Sequence, residues 1–164
     1  MINKQRSVPL MEALLAFKKE DTISLHVPGH KNGRIFHEQG KSLFQQVLQI
    51  DATELDGLDD LHAPEKVILQ AEQLLSELYD TQKSYFLVNG TTCGNLAMIL
   101  GNCGEGDIVL VQRNCHKSIL NGLKLAKAKP IFLRNDLNME WKVAEGLSID
   151  IVKKALKQYS KAKI

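Results

Sequence analysis

Two short segments carry residues whose types and spacing could hold a ligand and act on it. The first is NGTTCGN, residues 89–95. Gly90 allows a tight turn, Thr91 and Thr92 offer hydroxyls, and the next backbone N–H groups open a helix. A phosphate is held at a helix N-terminus in this way. The same residues also read as an ordinary strand-to-helix turn with a threonine cap. Neither GxxxxGK(S/T) nor GxGxxG is present there. The second segment is RNCHKS, residues 113–118. Its His116 is a flat imidazole that could stack on an aromatic ligand or transfer a proton. The alternative is a solvated His116 at a helix start capped by Asn114 or Ser118.

Four other constellations carry less. HVPGHKNG, residues 26–33, sets His26 and His30 four apart, but Pro28 and Gly29 between them break any helix on which both could face a metal. Cys115 beside His116 adds no ligand pair of usual spacing, so no metal site is expected. No serine stands in a GxSxG elbow, and Cys115–His116 is not a nucleophile–base pair. The acidic run DATELDGLDD, residues 51–60, could supply general acids or form a solvated loop or interface. GNCGEG, residues 101–106, precedes a strand and reads as a turn.

The elements that must position these residues follow from periodicity. Leu10, Met11, Leu14, Leu15 and Phe17 predict an amphipathic helix, with Ser7 and Pro9 as N-cap and first-turn proline. Residues 22–61 read mostly as loop. Residues 64–79 give the clearest helix: Val67, Ile68, Ala71, Leu74, Leu75 and Leu78 form one stripe, and Pro64 suits the first helical position. Strands are then expected at 84–88, 107–112 and 130–134, with helices from Thr92 to about Gly101 and over 117–127 between them. This alternation predicts a parallel sheet with right-handed crossovers, an α/β fold. In such a sheet ligands sit outside the carboxyl ends of the strands, where Thr91, Thr92 and His116 fall. A last helix is expected from about Ser148, with no strand after it. The sheet then looks unfinished, with an exposed edge that favours self-association.

The chain has 164 residues, 44% apolar and 24% charged, enough for an ordinary core and one or two domains. With 21 Lys and Arg against 19 Asp and Glu, nothing in the charge calls for nucleic acid or an anionic membrane. No apolar run nears the roughly 20 residues of a membrane-spanning helix. The charged N-terminus does not read as a signal peptide. Three cysteines at spacings of 10 and 12 fit neither a disulfide framework nor a CxxC pair, and a reducing cytoplasm is the expected compartment.

HVPGHKNG, DATELDGLDDLHAP, FLVNGTTCGNLAMI and VLVQRNCHKSILNGL occur in that order. Together they resemble the amino-terminal part of the Orn/Lys/Arg decarboxylases of the aspartate-aminotransferase fold (fold type I), from about Leu10 to Leu133. The resemblance implies pyridoxal 5′-phosphate (PLP) as cofactor and decarboxylation of ornithine, lysine or arginine in polyamine metabolism. It implies that Gly90, Thr91 and Thr92 form part of the phosphate cradle and that His116 stacks on the pyridine ring. Residues 1–62 then correspond to a helix and long loop near the dimer interface and active-site entrance. Residues 63–164 correspond to the first part of the PLP-binding major domain, in a homodimer or larger assembly. The family's Schiff-base lysine and the aspartate facing the ring nitrogen lie downstream of these residues. The pairs His30–Lys31 and His116–Lys117 belong to the upstream motifs. A polypeptide of these residues alone is therefore expected to be inactive: a fragment of such an enzyme, or alternatively a stand-alone protein keeping a phosphate-binding half-site.

Overall fold

The computed structural model describes residues 4–20 and 22–163, which fall into two compact units, Met1–Phe86 and Leu87–Ile164. No helix among the described residues is long and apolar enough to cross a membrane.

The first unit is helical. A short 3-10 turn, Lys4–Arg6, leads into α1, Pro9–Glu20. Proline suits the first helical position because its missing N–H would have no intrahelical partner there. With Pro9 in that place the cap position is Val8, not Ser7, and the Val8 carbonyl accepts from the Glu12 N–H. Helix α2, Glu38–Leu48, lies inside the stretch expected to be loop. Its sequence counts against it locally, since Gly40 costs about 1 kcal/mol relative to alanine inside a helix. His37 compensates by capping, its Nδ1 accepting from the Gln39 N–H. Helix α3 spans Val67–Tyr79 and packs on α1. It begins three residues after Pro64, so the proline precedes the helix and does not open it.

The second unit is a small parallel sheet covered on both faces. Residues 84–88 form no strand: no described strand lies beside them, and without a neighbour the backbone has no ladder to join. Tyr85, Phe86, Leu87 and Val88 are exposed. Helix α4, Gly90–Asn102, starts two residues before the expected Thr92. Gly101 and Asn102 of GNCGEG close α4, and Cys103–Gly106 make the turn into β1, Ile108–Gln112. Helix α5, Lys117–Leu125, crosses to β2, Lys129–Leu133, and β1 pairs parallel with β2 from Ile108–Lys129 to Gln112–Leu133. A two-residue hairpin, β3 (Leu137–Asn138) with β4 (Val143–Ala144), precedes α6, Ile149–Gln158.

The alternation of β1 decides the layers. Val109 and Val111 pack with Ile99, Leu123 and Ala126 from the α4–α5 side. Leu110 points the other way, to Leu133 and to Ala155 of α6. A strand buried on both faces reads as a continuous apolar run, as IVLV does. No strand follows α6 among the described residues, but one residue of the backbone returns to the sheet. Lys163 bridges to Val109 in parallel, its carbonyl accepting from the Leu110 N–H and its N–H donating to the Ile108 carbonyl. Its ammonium also donates to Asp107 Oδ2 at 2.7 Å, a bond that raises the Lys163 pKa and lowers that of Asp107.

Gly122 sets how closely α5 approaches α4. A Cβ built there would stand 2.7 Å from Ile99 Cδ1 and 3.2 Å from its Cβ. Crowding of this kind costs roughly 1–3 kcal/mol, against about 1 kcal/mol gained when alanine replaces a helical glycine. Gly122→Ala should therefore lower stability by about 1 kcal/mol in urea unfolding. An unchanged or higher midpoint would show that Ile99 relaxes at no cost.

Candidate functional site

The start of α4 is built from two successive left-handed residues, Asn89 (φ 62°) and Gly90 (φ 66°). Asparagine and glycine are the residues that tolerate this region. The chain thus turns sharply into the helix and leaves its first turn open. No side chain caps it, no acidic residue lies in it, and a Cβ added at Gly90 would meet nothing within 4 Å. Thr91 and Thr92 are exposed beside it. The donor set suits a phosphate: backbone N–H groups without intrahelical partners, two hydroxyls, the positive end of a helix and no competing carboxylate.

His116 occupies the N-cap of α5, in place of the Asn114 or Ser118 considered above. Its backbone is extended (φ −63°, ψ 147°), and its Nδ1 accepts from the Ser118 N–H at 3.2 Å. The Ser118 hydroxyl lies 2.8 Å from the same Nδ1. It also accepts from Asn95 Nδ2 at 2.8 Å. Ser118 is 2% exposed, whereas His116 is exposed. The Asn95–Ser118 bond ties the second turn of α4 to the first turn of α5. Asn95 is five residues past Gly90, about 7.5 Å along the helix axis at 1.5 Å per residue. The open helix start and the imidazole therefore lie toward one end of the second unit. Asn95 and Ser118 lie in the two segments NGTTCGN and RNCHKS, and residue type alone does not pair them. The His-x-Ser spacing signals only the contact of His116 with Ser118, in which one side chain caps the helix while the other is buried beneath it.

HVPGHKNG and the acidic run sit in the first unit, where the two histidines of the former are tied up locally. His30 accepts at Nδ1 from the Gly33 N–H at 3.1 Å, which leaves Nε2 to donate to Asp51 Oδ2, also at 3.1 Å. With both nitrogens used, His30 fastens HVPGHKNG to the start of the acidic run and has none left for chemistry. His26 Nδ1 bonds to the Val27 carbonyl, and Lys31 Nζ donates to the His26 carbonyl. Among the described residues no three His, Cys, Asp or Glu side chains converge as a metal would need.

Asp59, in the same acidic run, has a structural task. At φ 73° it turns back so that Oδ1 accepts from the Asp60 and Glu65 N–H groups and Oδ2 from those of Lys66 and Ile68. Burial pushes its carboxyl up, but the four donors, Glu65 first, outweigh burial and hold it far below the usual carboxylate range.

Comparison with known proteins gives a consistent picture. The family model described as Orn/Lys/Arg decarboxylase, major domain, matches residues 8–164. An uncharacterized protein of Bacillus subtilis (strain 168), YaaO, is 48% identical over 157 residues, covering 96% of this chain and 33% of that one. An arginine decarboxylase of Bacillus anthracis is 34% identical over 160 residues, 97% of this chain and 32% of its own length. The chain thus spans about a third of the length of the curated relatives it matches. The constitutive lysine decarboxylase of E. coli superposes with a TM-score of 0.74 over 96% of this chain and 24% of that one, at 23% identity. At that identity the likeness is one of fold.

Proposed function

The chain belongs to the Orn/Lys/Arg decarboxylase family, and from that premise we propose that it supplies the phosphate cradle and the ring-stacking histidine of a PLP-dependent decarboxylase acting on a basic amino acid. The observation that carries the reading is the open start of α4, tied to His116 through Asn95 and Ser118. Gly90, Thr91 and Thr92 hold the phosphate by backbone N–H and hydroxyl donors. His116 lays its ring against the pyridine. The chemistry such a cofactor supplies is an electron sink for the pair left when CO₂ departs. The residues described here bind and orient; the lysine that anchors the cofactor and the aspartate beneath its ring nitrogen are not assigned to any of them.

The test is a titration of the chain with PLP and, separately, with pyridoxal, which lacks the phosphate. Saturable PLP binding that shifts the amide signals of Gly90–Thr92 is expected, with pyridoxal much weaker. Thr91→Val combined with Thr92→Val removes two hydroxyl bonds of about 1 kcal/mol each, a loss of about 30-fold in affinity. Equal affinity for the two ligands would refute the cradle.

The same reading makes the working form a homodimer or larger. Support comes from apolar side chains at the surface of the first unit, such as Leu25 at 89% exposure and Leu43 of α2 at 77%. Sedimentation should find the chain self-associated at micromolar concentration. A sharp monomer would count against this.

A further inference from the structure

We propose that Ser118 and Asn95 are positioning residues that fix His116 as the Nε2–H tautomer, so that the nitrogen facing a bound ring donates and does not accept. The tautomer follows from donors already in place. The Ser118 backbone N–H can only donate, and it points at His116 Nδ1 from 3.2 Å. This donor favours a lone pair on Nδ1, and so the proton of the neutral ring on Nε2, but at 3.2 Å it is a long bond that biases the tautomer without fixing it. This step holds whichever way the Asn95 amide is turned. The serine hydroxyl then completes the set. It accepts from Asn95 Nδ2 and has its own proton free for the same Nδ1, both at 2.8 Å.

A comparison within the chain separates positioning from capping. His37 caps α2 in the same manner, with Nδ1 accepting from the Gln39 N–H at 3.3 Å. Residue 39 there is an exposed glutamine, whereas α5 has a nearly fully buried serine reached by a side chain from another helix. A cap needs neither the burial nor the second helix. Burying a hydroxyl costs free energy unless it is bonded, and here both its donor and its acceptor capacity are used. The result is an imidazole held at one edge by the backbone N–H and hydroxyl of Ser118, the hydroxyl being held in turn by Asn95 of α4, with its other nitrogen left to the ligand.

The consequence deepens the function proposed above and rests on it for the identity of the ring that His116 meets. In this tautomer Nε2 has no lone pair with which to take a proton. His116 then stacks and donates a hydrogen bond to an acceptor atom of the ligand or substrate, and it is not the general base.

The experiment is a long-range ¹H–¹⁵N correlation spectrum of the ¹⁵N-histidine-labelled chain, with His116→Gln identifying the signal. It is recorded at about pH 9, well above the usual histidine range. The expected result is a protonated Nε2 and an unprotonated Nδ1. Ser118→Ala should move both nitrogens toward the averaged values of mixed tautomers and weaken PLP about threefold to tenfold. Ser118→Thr, which keeps the hydroxyl, should restore both, and Asn95→Ala should act in the same direction as Ser118→Ala but less strongly. Protonated Nδ1 in the unsubstituted chain would overturn the proposal without need of any variant. So would tautomer signals in Ser118→Ala that match those of the parent. A fixed Nε2–H tautomer in a chain that fails to bind PLP would uphold the positioning and refute the cofactor assignment. PLP binding with averaged tautomers would do the reverse.

Discussion

Incubated with PLP and arginine, lysine or ornithine, a polypeptide of these 164 residues should release no amine above the PLP-only background. Enzymes accelerate their reactions by typically 10⁶-fold or more, some 8 kcal/mol of barrier at the least. For a PLP enzyme that gain depends on a lysine that anchors the cofactor and on a group that keeps its ring nitrogen protonated. Two lysines of this chain follow a histidine and could be mistaken for the anchor. Lys31 is a loop residue whose ammonium already donates to the His26 carbonyl at 2.5 Å. Lys117 is the first residue of α5, exposed, next to a histidine whose Nδ1 is committed to the helix cap. The check is amine release followed by chromatography, with Lys117→Ala and Lys31→Ala as controls. Turnover above background that disappears in either variant would sink the proposal and make that lysine the anchor.

How much of this was legible in the sequence depends on what each element needs for its formation. Helices α3 and α6 and strand β1 were readable because each buries a stripe or run against neighbours present in the same chain. IVLV packs on α4 and α5 with one set of side chains and toward α6 with the other. Residues 84–88 have an equally strand-like composition, yet composition supplies only half of a strand. The other half is a hydrogen-bonded neighbour, and none of the described strands provides one. Helix α2 failed for the opposite reason. Leu43, Phe44, Val47 and Leu48 do fall at helical spacing, but the segment is only three turns long, carries Gly40 in its first turn and starts on a histidine, which is not one of the usual cap residues. At the candidate site Gly90, Thr91, Thr92 and His116 could be named from residue type and place along the sheet. The Asn95–Ser118 link could not, because it joins residues 23 apart through a geometry that no local pattern encodes. The return of the backbone to β1 at Lys163 was invisible for a simpler reason: a single bridging residue has no periodicity.

Replacing Asp59 with alanine should destabilise the first unit by about 2–3 kcal/mol, with the loss centred on the start of α3. Removing a helix cap costs about 1 kcal/mol, and hydrogen bonds to a charged acceptor are worth more than neutral ones, though solvent screening reduces them here. Two causes contribute, and variants separate them. Asp59 sits at φ 73°, where alanine pays roughly 1–2 kcal/mol and glycine pays nothing for the backbone. Asp59→Gly therefore isolates the lost carboxylate, while Asp59→Asn keeps one acceptor oxygen and a side chain tolerant of that region. Asn should be the mildest of the three and Ala the worst. The carboxylate part must also vary with pH in a fixed direction. The folded pKa lies below the ordinary 3.8, so the native state favours the ionised form. Its stabilisation is complete above the ordinary value and fades as pH falls below that value toward the folded one. The gap between the parent chain and Asp59→Asn should accordingly be constant near neutrality and shrink once the pH drops under about 4. Urea unfolding followed by helical circular dichroism at neutral and acid pH measures both effects. If the gap instead widened in acid, the four backbone donors would not be what keeps Asp59 ionised. The acidic run would then owe its charge to a role at the surface and not to holding α3 in place.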